Sequence, residues 1–334
     1  MKRNTRYFSG RYFLGAALVG MVLPSLAFAG IFAPAAGQPG STAISRDDPG
    51  FAAWAAAHQD YMPGLAVDAV FQTPDKALGF PGSSDGTAQG FVFDIVSLGR
   101  GGSITLRFSP GIANGPGPDF AVFENSISDT FLEFAKVEVS SDGQTFVAFP
   151  AFSLVPAPVS SFGSVDTTDV EQLAGKYRRG FGTPFDLQQL VGSPGLDLAN
   201  VRYVRLVDAV GDGTAPNDLT PQRLAAWLGV PLGQLPQSLV DIVNSAPAAI
   251  YDPYPTVGSA GFDLDAVGVL EPALLDAPVV VNPWGAPDVE PESTGIIPLF
   301  VYGSSLTNGG LDDFDAAAIE PGSVRLGVSR AEPT

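Results

Sequence analysis

The chain of 334 residues lacks cysteine and contains a single histidine, His58. These absences exclude thiolate and multi-histidine sites for zinc, copper or an iron cluster. They also exclude disulfides, so the core and any bound ion must supply the stability. Oxygen donors remain, and these suit hard cations such as calcium. No residue pattern identifies an organic ligand.

Basic residues are scarce, with 17 Lys and Arg against 35 Asp and Glu, a formal charge of −18. Four of the basic residues lie in the first 29, ahead of an apolar run over 12–28 that ends in Ala27-Phe28-Ala29. This pattern predicts a signal peptide over 1–29, with the mature chain starting at Gly30. A membrane anchor is the alternative, but the run is short and Pro24 interrupts it.

Removal of that leader would change the formal charge from −18 to −22. Such an acidic surface argues against nucleic acid and anionic membranes as partners. We therefore expect an exported chain, in the periplasm, at the cell surface or in the medium, with no transmembrane span after maturation.

Thirty-nine glycines and 30 prolines separate short runs rich in Val, Phe, Ile and Leu, which is typical of many short strands joined by turns. The composition predicts an all-β fold, a jelly-roll β-sandwich over 30–271. The Asp142-Gly143 pair predicts a hairpin turn. The clearest strand candidates are residues 90–97, 103–108, 120–124, 135–140, 145–149, 201–207 and 262–269.

Helix signals are few. Residues 49–58 form one candidate, with Asp48 as its cap and Pro49 in the first turn. Residues 220–229 form a better one, with Thr220 as the cap. This second helix opens a small helical insert over about 214–249.

The residues after 271 predict two further segments. A proline-rich linker is expected over 272–293. A short C-terminal β segment, incomplete as a folding unit, is expected over 294–334.

Acidic residues gather around the last predicted strand of the sandwich. Asp263 and Asp265 are two apart and share one face of a strand, where their like charges repel. Two interpretations stay open: both acids are solvated on an exposed face, or at least one binds calcium. Asp208 and Asp212 follow the predicted strand 201–207, Glu124 ends the predicted strand 120–124, and these three acids complete the predicted metal ligands. Since EF-hand spacing is absent, such a site must be assembled from separate loops.

Tyr251 and Tyr254 flank Asp252 in a loop with two prolines. Aromatic rings beside acids commonly hold saccharides, because the ring stacks on C–H groups while the carboxylate accepts from hydroxyls. Packing of the tyrosines over the loop is an equal alternative. Arg178 and Asn125 complete the predicted ligand-binding residues, although Arg178 could pair with local acids and Asn125 could cap a turn.

Three segments, VEVSSDGQTF, VRYVRLVD and GFDLDAVGV, resemble the galactose-binding-like jelly roll shared by discoidin-type and many carbohydrate-binding modules. A longer series over residues 41–271, including VSLGRGGSITLRF, GPGPDFAVFEN and DPYPTVGSAGFDLDAVGV, resembles a family of bacterial exported cell-surface proteins. Residues 295–327 are similar to a short β module appended to microbial surface proteins. The resemblance implies a fold and a location outside the cell.

The favoured function is therefore a non-enzymatic binding protein, stabilised by calcium, that recognises a saccharide or glycoconjugate at loop edges. One alternative is a passive surface or matrix protein in which calcium only makes the loops rigid. The other is a glycan hydrolase, which needs only two carboxyl groups. A Ser-His-Asp mechanism would depend on His58 alone, and we expect that histidine to be structural.

Overall fold

The sandwich consists of two antiparallel sheets in a computed structural model that describes residues 30–82, 94–273, 279–281 and 299–301. The first sheet has the order β1-β11-β6-β13-β2, with β4 paired to β13, and the second has the order β3-β5-β12-β7-β8. The strands are β1 (Ile44–Ser45), β2 (Ala53–Trp54), β3 (Ala57–Met62), β4 (Val96–Ser97), β5 (Ser103–Ile112), β6 (Phe120–Glu124), β7 (Ala135–Ser140), β8 (Val147–Ala148), β9 (Phe152–Ser153), β10 (Val170–Glu171), β11 (Phe181–Phe185), β12 (Val201–Asp208), β13 (Asp263–Val269), β14 (Val279–Val281) and β15 (Leu299–Val301). The predicted all-β sandwich with a small helical insert is confirmed.

The main core lies between the two sheets. Apolar side chains alternate along β12, where Val204 and Leu206 are fully buried and Arg205 is only partly so. They meet side chains of the opposite sheet such as Val122 and Leu264. Period-two burial of this kind is what one apolar face of each sheet requires.

Every residue of β6 and β13 is buried, because a second layer covers the outer face of their sheet. Phe51 and Trp54 pack against Phe123 there, with ring centroids 5.6 Å apart in both pairs. The prediction of a helix over 49–58 is wrong, because this segment contains β2 and the start of β3. Trp54 pairs with Gly268 of β13, and this tertiary pairing overrides the local capping signal.

The hairpin predicted at Asp142-Gly143 is present between β7 and β8. Asp142 accepts hydrogen bonds from the backbone N–H groups of Gln144 and Thr145, both at 2.8 Å. Gly143 has a φ of 75°, which a side chain would disfavour.

Two helices, α1 (Pro221–Trp227) and α2 (Gln237–Asn244), form the insert between β12 and β13. Thr220 caps α1 as predicted, since its hydroxyl accepts from the N–H of Arg223 at 3.2 Å. Within the part of the chain that is described, no helix is long and apolar enough to cross a bilayer.

The strands β14 and β15 pair with each other in antiparallel fashion. The first lies within residues 272–293, where a linker is predicted, and the second lies within the predicted C-terminal β segment. Both segment predictions stay predictions. The remainder of both segments and the predicted signal peptide lie outside the described residues.

Candidate functional site at one end of the sandwich

Four connections meet at one end of the sandwich, which we call the loop end. They are residues 98–102, 125–134, 172–180 and 209–262. The strand register brings them together, because Asp263 pairs with Ser97, and Asp208 pairs with Ala135. Carboxyl side chains converge at this end, each with at most 5% of its residue surface exposed. We call them the carboxyl cluster: Glu124, Glu133, Asp208, Asp252, Asp263 and Asp265.

Asp208 ends β12 and binds three backbone amides. Its Oδ2 accepts from Gly101 and Val210, and its Oδ1 accepts from Phe262, all at 2.9 Å. Burial raises its pKa, while these donors and the charge of Arg100 oppose the rise. Asp208 therefore fastens the 98–102 connection and both ends of the 209–262 connection to one strand end.

Asp263, at the start of β13, accepts hydrogen bonds from the side chains of Ser97, Ser259 and Asn125. Burial raises its pKa to about 7 despite these donors. Asp265 accepts from the N–H of Gly82 at 2.7 Å, and burial raises its pKa to about 6. The solvated strand face considered for these two acids is wrong, because both are 4% exposed.

Glu124, at the end of β6, and Glu133, shortly before β7, are two buried acids whose ionised forms repel each other. Burial raises the pKa of each well above the ordinary value, and the charge of Asp263 raises both further. Glu124 accepts from the N–H of Ser126 at 2.8 Å, and Glu133 accepts from the hydroxyl of Thr256 at 2.7 Å. A glutamate in this setting is stable when protonated or when a cation compensates its charge.

Asp252 lies between Tyr251 and Tyr254 in residues 251–255, which we call the tyrosine loop, and it is buried. It accepts from the N–H of Phe134 at 2.8 Å, and burial together with the charge of Asp208 raises its pKa well above the ordinary value. A Cβ on Gly211 would lie 1.8 Å from its Oδ1, so this backbone approach requires glycine.

Tyr251 and Tyr254 are both partly exposed. Tyr251 packs against the small core around Ile250, and a Cβ on Gly213 would lie 2.8 Å from its ring. The guanidinium of Arg100 lies 5.6 Å from the ring centroid of Tyr254. Tyr254 therefore has a cationic neighbour, which the sequence did not indicate.

The remaining predicted residues have mixed positions. Asp212 is exposed and accepts from the N–H and the hydroxyl of Thr214, yet it is near enough to the cluster that its charge helps to raise the pKa of the buried Asp252. Arg178 pairs with Asp129, N to O 2.6 Å, as the alternative interpretation proposed. Asn125 is 9% exposed, and its side chain donates a hydrogen bond to Asp263.

Sequence reasoning missed Glu133, Ser97, Ser259 and Thr256. The segment Phe131-Leu132-Glu133-Phe134 offered one signal, because an acid enclosed by large apolar residues indicates burial. Hydroxyl side chains in glycine-rich turns carried no such signal.

The donors of the cluster are carboxylate, hydroxyl and amide oxygens, the chemistry that calcium prefers. Their present arrangement is not a closed coordination sphere: across the described ranges, no three acidic or histidine side chains are grouped closely enough to hold a metal ion. The donor types fit the ion, whereas the geometry would require side chains to turn.

An open surface cavity of about 580 Å³ lies elsewhere, along the N-terminal segment. Its lining includes none of the predicted binding residues and consists of Gly37, Gln38, Pro39, Ser41, Ala43, Ile44, Ser45, Asp48 and Phe181.

Comparisons with known protein families, with curated proteins and with solved structures gave no match to this chain.

Proposed function

We propose that this chain is an exported, non-enzymatic binding protein that recognises a saccharide or glycoconjugate at the loop end, with calcium as a stabilising ion. The observation that carries the proposal is the burial of six carboxyl groups at the end of the sandwich where the connection with Tyr251 and Tyr254 also lies.

The charge balance of the cluster supports a cation. The charge of Asp263 raises the pKa of both Glu124 and Glu133, and the charge of Glu133 raises that of Glu124 further. Above neutral pH, the ionised forms of these three acids repel unless a positive ion lies among them. Calcium binds six to eight oxygens with flexible geometry, so these side chains could ligate it once they turn toward a common point.

The tyrosine loop supports a saccharide. Tyr251 and Tyr254 are both partly exposed to solvent in the connection between β12 and β13. A flat ring can stack on the C–H face of a sugar. Asp252 is 3% exposed and does not reach such a ligand in this conformation, so the hydroxyl contacts would fall to exposed loop groups.

A passive surface protein is the second candidate. Asp208 favours it, because its two oxygens already accept three backbone N–H groups and so serve the fold directly. In that case, calcium would make the loops more rigid and no saccharide would bind.

The hydrolase alternative requires two carboxyl groups that a substrate can reach. Asp265 and Glu124 are 4% and 2% exposed, so the loop end would have to open first. Assays for newly released sugar reducing ends, on the parent chain and on Asp265→Asn, test for hydrolase activity. Turnover that disappears in the variant would establish an enzyme and overturn the proposal.

Calorimetry separates the binding protein from the passive one. We would titrate calcium into the mature chain and then titrate a glycan panel into the calcium form. We expect a measurable heat of glycan binding that is lost in Tyr254→Ala and retained in Tyr203→Ala. Tyr203 is the control because it lies at the opposite end of the sandwich, against Gly143. A heat of calcium binding without a heat of glycan binding would favour the passive protein. The absence of both heats would refute both candidates.

A further inference from the structure

A separate apolar core joins the helical insert to the sandwich, away from the carboxyl cluster. Its buried members are Phe32, Phe152, Leu219, Leu224 and Val243. Phe32 is the only one of these that comes from the N-terminal segment. The first described residues therefore complete the packing of an element almost 200 positions later in the chain.

Phe32 is held on several sides. Its ring stacks on Phe152 with centroids 6.2 Å apart and meets Trp227 of α1 edge-on at 6.0 Å. Its N–H donates to the carbonyl of Thr168 at 3.1 Å, and the Lys176 ammonium lies 5.9 Å from its ring centroid. Only 7% of its surface is exposed.

The residue at the start of this segment also fits closely. Gly30 is buried, and a Cβ there would lie 1.9 Å from the carbonyl oxygen of Thr168. No other residue type could occupy this place without displacing the backbone. Gly30 is also the residue that the Ala27-Phe28-Ala29 pattern places first in the mature chain.

We propose that residues 30–32 form an intramolecular latch, seated in a groove between β9, α1 and Thr168, which holds the insert closed. This inference rests on the proposed export for one point only, that processing leaves the latch at the mature N-terminus. Its physical basis is the contact set of Phe32, which does not depend on calcium or saccharide.

The base of the insert has its own attachments. Asn217 donates to the carbonyl of Ser153 at 2.7 Å, and Asp218 donates its N–H to the carbonyl of Ala151 at 2.8 Å. Release of the latch would therefore free the two helices while the base stays attached. Because the insert runs directly into Tyr251 and Asp252, latch release would also loosen the candidate site.

Tryptic cleavage after Arg223 measures this opening. Arg223 is the only Lys or Arg in residues 214–249, and it lies inside α1, so cleavage requires the helix to unwind. In Phe32→Ala we expect cleavage there to be at least about tenfold faster, because proteolysis follows the population of the open form. Phe162→Ala removes a ring that is 87% exposed and serves as the matched control.

A second experiment uses binding in trans. A shortened chain that begins at Ala33 should show the same fast cleavage, and a peptide of residues 30–36 should restore protection. A peptide with alanine in place of its phenylalanine should not. The latch proposal is overturned if cleavage after Arg223 is unchanged in Phe32→Ala, or if cleavage becomes faster by the same factor at every tryptic site. It is also overturned if the shortened chain does not fold, or if the peptide gives no protection.

Discussion

Asp208→Asn provides the sharpest test of how the loop end is held together. The carboxylate accepts three backbone N–H groups at 2.9 Å, from Gly101, Val210 and Phe262. An asparagine keeps one oxygen and presents an NH₂ group where the other oxygen was. At least one buried N–H then faces a donor instead of an acceptor.

The expected cost follows from these contacts. Hydrogen bonds to a charged acceptor contribute about 1.5–3 kcal/mol each, and a buried group left without a partner loses its full solvation. Loss of one or two such bonds at a site that is 5% exposed should reduce the free energy of unfolding by about 3–5 kcal/mol. For a chain of this size the melting temperature should fall by roughly 10 °C.

Urea unfolding, followed by far-UV circular dichroism in the presence of a chelator, measures the loss at constant m-value. Asp212→Asn is the matched control, because Asp212 is exposed four residues away and should change the stability by less than about 0.5 kcal/mol. A loss below about 1 kcal/mol in Asp208→Asn would refute the anchoring argument, since the three amides would then have other acceptors.

Three further predictions concern single groups. The pKa of Asp263 is about 7 in the folded chain against an ordinary value of 3.8, so its protonation favours folding. Without calcium, the urea midpoint should be highest below about pH 4 and fall as the pH rises through 7, and Asp263→Asn should flatten this slope. Lys176→Met leaves the buried Glu171 without its ion-pair partner and should cost about 3–5 kcal/mol, most of which Glu171→Gln in the same chain should restore, as unfolding curves would show. Thr220→Ala removes the cap of α1 and should cost about 1 kcal/mol by the same measurement.

Local sequence signals correctly predicted the turns, caps and strand bounds that depend on residues close together in the chain. The turn at Asp142-Gly143 forms because glycine accepts a positive φ and the aspartate binds the following amides. Thr220 caps α1 because its hydroxyl needs only the N–H three residues on. The bounds of β6 and β7 also agree with the apolar runs that predicted them.

Long-range contacts decided the rest. Residues 49–58 carry a helix cap, yet Trp54 pairs with a strand more than 200 residues later. Likewise, the alternation of side chains along β13 predicts that Asp263 and Asp265 share one face of the strand, but it does not indicate what covers that face. Its burial depends on Glu124, Glu133 and the segment near Gly82, which only the fold brings together.

The thermal melt of the mature chain with excess calcium and with excess chelator tests the central claim most directly. If ionised carboxyl groups at the loop end share a cation, calcium at about 100 times its dissociation constant adds about 2.7 kcal/mol. That corresponds to a rise of roughly 5–10 °C at neutral pH. Substitution of Glu124 by Gln should reduce the rise, whereas Asp47→Asn, at an exposed position, should leave it intact. Identical melting temperatures in calcium and chelator would contradict the account.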